Sequence, residues 1–304
     1  MSEILDFTEE DIDMVSDGIE SCFKEPYCIA NSKSMGLDNT YVLNLSINSS
    51  NKIVAGLSNN SVRTFDENLT MLNEKKLPSN VIDVKFSPKQ PELFYTGTPD
   101  CIQLWDMRTK NEEGIYQIKT NGDYGPKPMT TFDINNADQF MVAGTEVVKH
   151  DSFLLFWDIR SKNMLGGYWE TFGEDITETK FSPNDPNQLI TGASDGQINV
   201  FDISQDNEDD ALVTTLNVEA PVKSVTWMKD DKVGVVLDHE ELLLWKLEDS
   251  ESYKTFSRED LTVAIKRKVT AWTYVSFLLY LLLFCVGLFN YFFLTLDCWL
   301  PLQL

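Results

Sequence analysis

From about Glu25 to Leu247 apolar residues come in short runs broken by turn residues, and no stretch carries them at the three-and-four spacing of an amphipathic helix. Tyr41–Ile47, Lys52–Gly56, Val81–Phe86, Phe94–Thr96, Phe140–Gly144, Phe153–Trp157, Leu189–Gly192, Val222–Trp227 and Val233–Val236 read as strands. Ser49-Ser50-Asn51, Asn59-Asn60, Ser87-Pro88, the run Ser182–Pro186 and Asp195-Gly196 punctuate them as turns. The pattern predicts an all-β fold.

One strand type recurs. It consists of apolar residues, then an aromatic, then usually an aspartate: Val62–Asp66, Ile102–Asp106, Leu154–Asp158, Ile198–Asp202 and Leu242–Lys246. The aromatic residues Phe65, Trp105, Trp157, Phe201 and Trp245 follow one another at intervals of 40, 52, 44 and 44 residues. A period in this range with Trp-Asp endings marks the four-stranded blades of a β-propeller. The longer step is accounted for by polar insertions at Asn111–Lys127 and Thr145–Ser152. A small sheet with two apolar faces cannot bury both alone, so blades must stack side by side. The five aromatics are therefore expected in blade cores, where large rings bury the most area.

The flanks differ. Residues 1–21 are acidic and weakly patterned and are read as a flexible arm, residues 22–250 as the propeller, and 251–268 as a polar, basic linker. Lys266, Arg267 and Lys268 then precede a charge-free run, Val269–Leu296, with a short tail at 297–304. As a helix this run of 28 residues would extend roughly 42 Å, more than the about 30 Å of a bilayer's hydrocarbon core. It is a candidate transmembrane helix with the basic triplet on the cytoplasmic side. The alternative is an atypical chain ending that stands where further blades would follow.

Charge narrows the function. The net charge of −23 repels phosphate backbones, which argues against direct nucleic-acid binding and favours protein partners with basic segments. Five irregularly spaced cysteines form neither a disulfide framework nor a zinc motif. The acidic N-terminus lacks the features of a secretory signal, so the propeller is expected in the cytoplasm or nucleus. No phosphate loop, nucleophile elbow or zinc-protease motif occurs, and no cofactor is expected. His150 and His239 sit in polar turn-like stretches, and the acidic pairs Glu174-Asp175 and Asp209-Asp210 read as solvated connections. The loop containing Asp206, Glu208, Asp209 and Asp210 is the candidate site for a basic partner segment.

At Ala143–Glu146, Leu155–Arg160, Phe181–Asn187, Ser194–Gly196 and Asp209–Thr215 the chain resembles the WD-repeat family. The resemblance extends over roughly Glu25 to Lys268 and implies a propeller scaffold for protein–protein interaction, without a defined reaction. It also implies more than five blades, so the ring visible here is expected to be incomplete. Repeats of this family often join a Gly-His pair to a turn Asp, a Ser or Thr, and the strand Trp. Neither histidine here follows a glycine, and Thr191 with Asp195 is the best remaining part of that polar set. A membrane-anchored adaptor is the alternative function, and an enzyme with a site in the propeller channel is a weaker one.

Overall fold

The computed structural model describes residues 31–33, 40–109, 113–119, 127–228, 232–239, 241–249 and 252–257. The acidic arm, Lys266, Arg267, Lys268 and the hydrophobic run 269–296 lie outside the described residues. Among those described, no helix is long and apolar enough to cross a membrane.

Among the described residues, twenty strands form five four-stranded antiparallel sheets, each built from four consecutive strands. The first blade comprises β1 (Val42–Ile47), β2 (Ile53–Leu57), β3 (Ser61–Phe65) and β4 (Met71–Lys76). The second comprises β5 (Asp83–Phe86), β6 (Leu93–Thr98), β7 (Cys101–Asp106) and β8 (Tyr116–Lys119). The third is β9 (Met129–Ile134), β10 (Phe140–Thr145), β11 (Leu154–Asp158) and β12 (Asn163–Tyr168). The fourth is β13 (Ile176–Phe181), β14 (Gln188–Ala193), β15 (Gln197–Asp202) and β16 (Leu212–Asn217). The fifth is β17 (Val222–Trp227), β18 (Lys232–Leu237), β19 (Leu242–Lys246) and β20 (Lys254–Phe256). β20 falls within the stretch read from sequence as the 251–268 linker, and β8 within the polar insertion 111–127. Both are short outer strands with few buried residues, so neither carries an apolar signature.

The first strand of each blade is the inner one. β1 packs on β5, β5 on β9, β9 on β13 and β13 on β17, while β17 makes no comparable contact with β1 among the described residues. Side-chain alternation then serves two neighbours at once. In β7, Ile102 and Leu104 join the core shared with the third blade, while Trp105 turns back into the core shared with the first. Likewise Leu155 and Trp157 face the second blade, while Leu154 and Phe156 face the fourth. Phe201 and Trp245 also point towards the preceding blade. Phe65, Trp105, Trp157, Phe201 and Trp245 are each at most 5% exposed.

Close approach between blades is set by glycine. Gly56, Gly97, Gly144 and Gly192 occupy equivalent places in the second strands, opposite Asn44, Asp83, Thr131 and Glu178. A methyl group at these glycines would stand 2.8 Å from Val81, 2.7 Å from Phe132, 2.5 Å from Ile176 and 2.6 Å from Val222, all in the following blade. The fifth blade breaks the series. Val236 stands opposite Ser224 in that position and packs with Met228 and Leu242 of its own blade.

The aromatic repeat also settles where a polar partner is present. Trp105 Nε1 donates to Thr96 Oγ1 at 2.9 Å. The residue equivalent to Thr96 is Thr191 in the fourth blade, but the ring there is Phe201, which has no N–H. The Thr191 hydroxyl instead turns to the Asn199 carbonyl at 3.5 Å. Asp195 is not joined to it either: its carboxylate accepts the Gln197 N–H across its own exposed turn. The expected Thr191–Asp195 set is therefore not assembled, and the Trp–Thr pair lies in the second blade. In the fifth blade Val235 occupies the Thr96 position, and the buried Trp245 Nε1 has no hydrogen-bond partner.

An unpaired buried donor costs about 1–3 kcal/mol and a restored hydrogen bond returns about 0.5–1.5 kcal/mol. Val235→Thr, nearly isosteric, is expected to raise stability by about 1 kcal/mol, read as an increased midpoint in urea. A lowered midpoint would show that the hydroxyl does not reach Trp245.

Candidate partner-binding surface

Two sets of polar residues stand out, one on the inner strands and one on the rim. On the inner strands the side chains preceding Ile47, Phe86, Ile134, Phe181 and Trp227 are Ser46, Lys85, Asp133, Lys180 and Thr226. The inner edge of each sheet has no further strand of its own to satisfy its backbone, so side chains of the adjacent blade supply partners. Ser46 Oγ accepts from the Phe86 N–H at 3.1 Å, and Asp133 from the Phe181 N–H at 2.8 Å. Asn44 donates to the Ile82 carbonyl, Thr130 to that of Ile176, and Trp227 Nε1 to that of Lys180.

Charges join this seam in pairs. Lys85 lies 3.1 Å from Asp83 and 3.6 Å from Asp133, and Lys180 lies 3.1 Å from Glu178. Glu178 also receives the Ser224 hydroxyl at 3.1 Å. Burial alone would drive a proton off Lys85. The fields of Asp83, Asp133 and Glu178 outweigh it and hold the ammonium well above its ordinary pKa. The arrangement neutralises carboxylates drawn from three successive blades, so its chemistry is consumed in holding blades together.

The aspartates that close the recurrent strand are likewise structural. Asp66 accepts from the N–H groups of Asn68 and Thr70, Asp158 from Arg160 and Ser161, and Asp202 from Ser204. Each ties the turn into the outer strand. The Arg108 side chain beside Asp106 holds that carboxyl below its usual range.

His239 is half exposed and pairs with Glu241 at 3.2 Å. His150 lies at positive φ in the small hairpin around the Val148–Asp151 bridge. That insertion docks on the fourth blade through Val147 N–H to Asp175 and Ser152 Oγ to the Glu174 carbonyl. The acidic pair 174–175 is thus a seam between blades.

On the rim the candidate loop is more ordered than its composition suggests. Residues Glu208–Ala211 form one helical turn, capped by Asn207, whose Oδ1 accepts the Asp210 N–H. Glu208 faces inwards. Its carboxylate accepts the N–H groups of Trp169, Glu170 and Thr171 and the Thr171 hydroxyl, at 2.6–3.1 Å. Glu208 is therefore a clamp between the third and fourth blades and is not available to a partner. Asp210 receives Asn207 Nδ2 at 2.7 Å. Asp206 and Asp209 are exposed. Between Gly167–Glu170 and Asp206–Asp210 lies a cleft of about 470 Å³.

A further rim feature went unseen in the sequence. In each blade the residue before the one paired with the position preceding the core aromatic is a large, exposed hydrophobe: Leu72, Ile115, Leu165, Val213 and Tyr253. In the first, third and fourth blades a register shift shows it directly as the extra residue of a bulge.

Removing the Lys85 ammonium while keeping its stem would leave Asp83 and Asp133 without their lysine, beside a Glu178 still paired with Lys180. Breaking a buried pair from one side typically costs about 3–5 kcal/mol. Lys85→Met is expected to lose stability on that scale near neutral pH, measured by denaturant unfolding. A loss under 1 kcal/mol would mean water screens the cluster.

Comparison with known proteins adds the family. The family model described as Nucleolar protein 10-like, N-terminal domain, a β-propeller, matches residues 47–272. Relatives include a WD repeat-containing protein of Saccharomyces cerevisiae, 26% identical over 235 residues, covering 73% of this chain and 57% of the relative. A WD repeat-containing protein of Schizosaccharomyces pombe is 26% identical over 218 residues, covering 69% of this chain and 64% of its own length. The WD repeat-containing protein 89 homolog of Dictyostelium discoideum is 28% identical over 201 residues, covering 63% and 50%. The chain thus spans between half and just under two thirds of these relatives. With five four-stranded blades and a match across most of its length, the chain belongs to the Nucleolar protein 10-like N-terminal domain family of WD-repeat β-propellers.

Proposed function

We propose that the protein is a non-enzymatic scaffold that holds other proteins against the rims and loops of its blades. The observation that carries this reading is the division of its side chains. Charged groups on the inner strands are spent on one another, within a strand as Lys85–Asp83 and Lys180–Glu178 and across to the next blade as Lys85–Asp133, whereas large apolar groups and unclamped acids lie on the rim. The net charge of −23 favours partners with basic segments and disfavours nucleic acid. A cytoplasmic or nuclear setting accords with the nucleolar name of the family.

Affinity purification of the full chain from cells, beside an Asp206→Asn/Asp209→Asn variant, tests this. The variant is expected to keep its melting temperature and to lose a subset of partners that carry Lys- or Arg-rich segments. An unchanged partner set would remove the acidic loop from the reading, and a chain that retains no partners at all would remove the scaffold role.

Membrane attachment is a second reading, favoured by the charge-free run Val269–Leu296 behind Lys266, Arg267 and Lys268. Deleting residues 269–304 is expected to move the protein from the membrane fraction to the soluble one. Membrane association that survives the deletion, or none in the full chain, would reject it.

A further inference from the structure

The repeated rim hydrophobe is not equally surrounded in every blade. In the first blade Met71 and Leu72 lie on β4, which continues into Glu74, Lys75 and Lys76. In the third blade Met164 and Leu165, 53% and 57% exposed, lie on β12 and run through Gly166, Gly167 and Tyr168 into Trp169, 51% exposed. A Trp half in water is unusual for a ring that otherwise favours burial. β12 is the last strand of its sheet, and among the described residues its outer edge adjoins no other strand. Gly166, at φ +150, has nothing within 4 Å of where a side chain would begin, so a second backbone can lie close there.

Charge selects the occupant. β12 leads into one wall of the 470 Å³ cleft, and the helical turn at Glu208–Ala211 forms the other. The cleft's lining contains Glu170, Asp206, Glu208, Asp209 and Asp210 and no basic residue. Its base is firm. Tyr168 packs against Phe156 at 4.9 Å and Phe201 at 5.3 Å, and the Glu208 clamp fixes the backbone of Trp169 and Glu170. A guanidinium or ammonium entering beside Trp169 gains an indole face and the unclamped carboxylates together. Apolar neighbours of that cation meet Leu165 and Met164.

We propose that the rim of the third blade, from Met164 to Glu170 with Asp206 and Asp209 opposite, binds an extended basic segment of a partner protein, with an Arg or Lys side chain in the cleft and aliphatic residues along β12. This rests on the scaffold reading and names the surface and the chemistry it takes.

The probe is a 12-residue peptide alternating Leu or Val with Arg, beside the same peptide with citrulline for Arg, titrated into the full chain by calorimetry at low and moderate salt. Hydrogen exchange then locates the contact. The Arg peptide is expected to bind, to weaken with salt, and to protect residues 164–170. Trp169→Ala and Asp206→Asn/Asp209→Asn are each expected to weaken it tenfold or more, and the citrulline peptide to bind at least as poorly. Leu72→Ser, on the first blade's rim, is the control and should leave binding unchanged. Trp169 and both aspartates are exposed, and unchanged melting temperatures separate a lost site from a lost fold. Equal binding of the citrulline peptide, protection elsewhere, indifference to the Trp169 change, or no binding at low salt would each overturn the proposal. The partner set retained in the purification experiment would still stand in those cases, so the scaffold reading is judged apart from this surface.

Discussion

Everything in this fold follows from one close approach: an aliphatic or aromatic side chain of one blade pressed onto bare backbone of the blade before it. At Gly144 the intruding atom is Ile176 Cγ2, and at Gly97 it is the Phe132 ring. That contact allows inner strands to come near enough for Asp133 to reach the Phe181 N–H and for Lys85 to reach Asp133. It also explains why the core is made of shared seams. Four clusters take residues from two neighbouring sheets, with the Trp or Phe of one blade filling space against the previous one, while the clusters around Phe65 and Val236 at the two ends of the series lie within a single blade. Neither sheet has a complete core of its own, in keeping with the nearest-neighbour stability of repeat architectures.

The aromatic rhythm was legible because it is imposed by the largest buried side chains, one per blade, in strands buried on both faces. β3, β7, β11, β15 and β19 were all found in this way. The outer strands were hard to read for the opposite reason. β8 buries Ile118 alone and β20 buries none of its residues fully, so β-branched alternation has nothing to enforce it. Gly56, Gly144 and Gly192 were read as strand ends and Gly97 was left outside its strand, since sequence gives no hint that the pressure on them comes from the following blade. The Thr191–Asp195 reading failed because a polar set needs its donor. Phe201 removed that donor, while Trp105 kept it for Thr96. The acidic loop was located by composition, but the inward turn of Glu208 depends on the backbone of Trp169 to Thr171, 37–39 residues away.

The inner and outer ends of each blade thus divide two kinds of work. Inner-strand carboxylates are matched by lysines or by backbone donors, and their fields cancel locally. Rim acids such as Asp206 and Asp209 are not matched in this way, and much of the long-range negative potential therefore originates at the periphery. A positively charged segment is drawn to the edge of the propeller, where the bulge hydrophobes already interrupt the polar surface. The same Glu208 that holds two blades together gives that edge its shape.

Val236 carries a consequence for how such a molecule can grow. Repeat proteins lengthen by copying a unit, and a copy seats only if the preceding face has a socket for its inner strand. The first four blades offer that socket at glycine. The fifth has filled its own, so a duplicate of the fourth blade inserted after Leu247 would have to ride over an isopropyl group and stand off from its neighbour. A unit copied from the first four blades brings its own socket with it, whereas one copied from the fifth presents Val236 in that place.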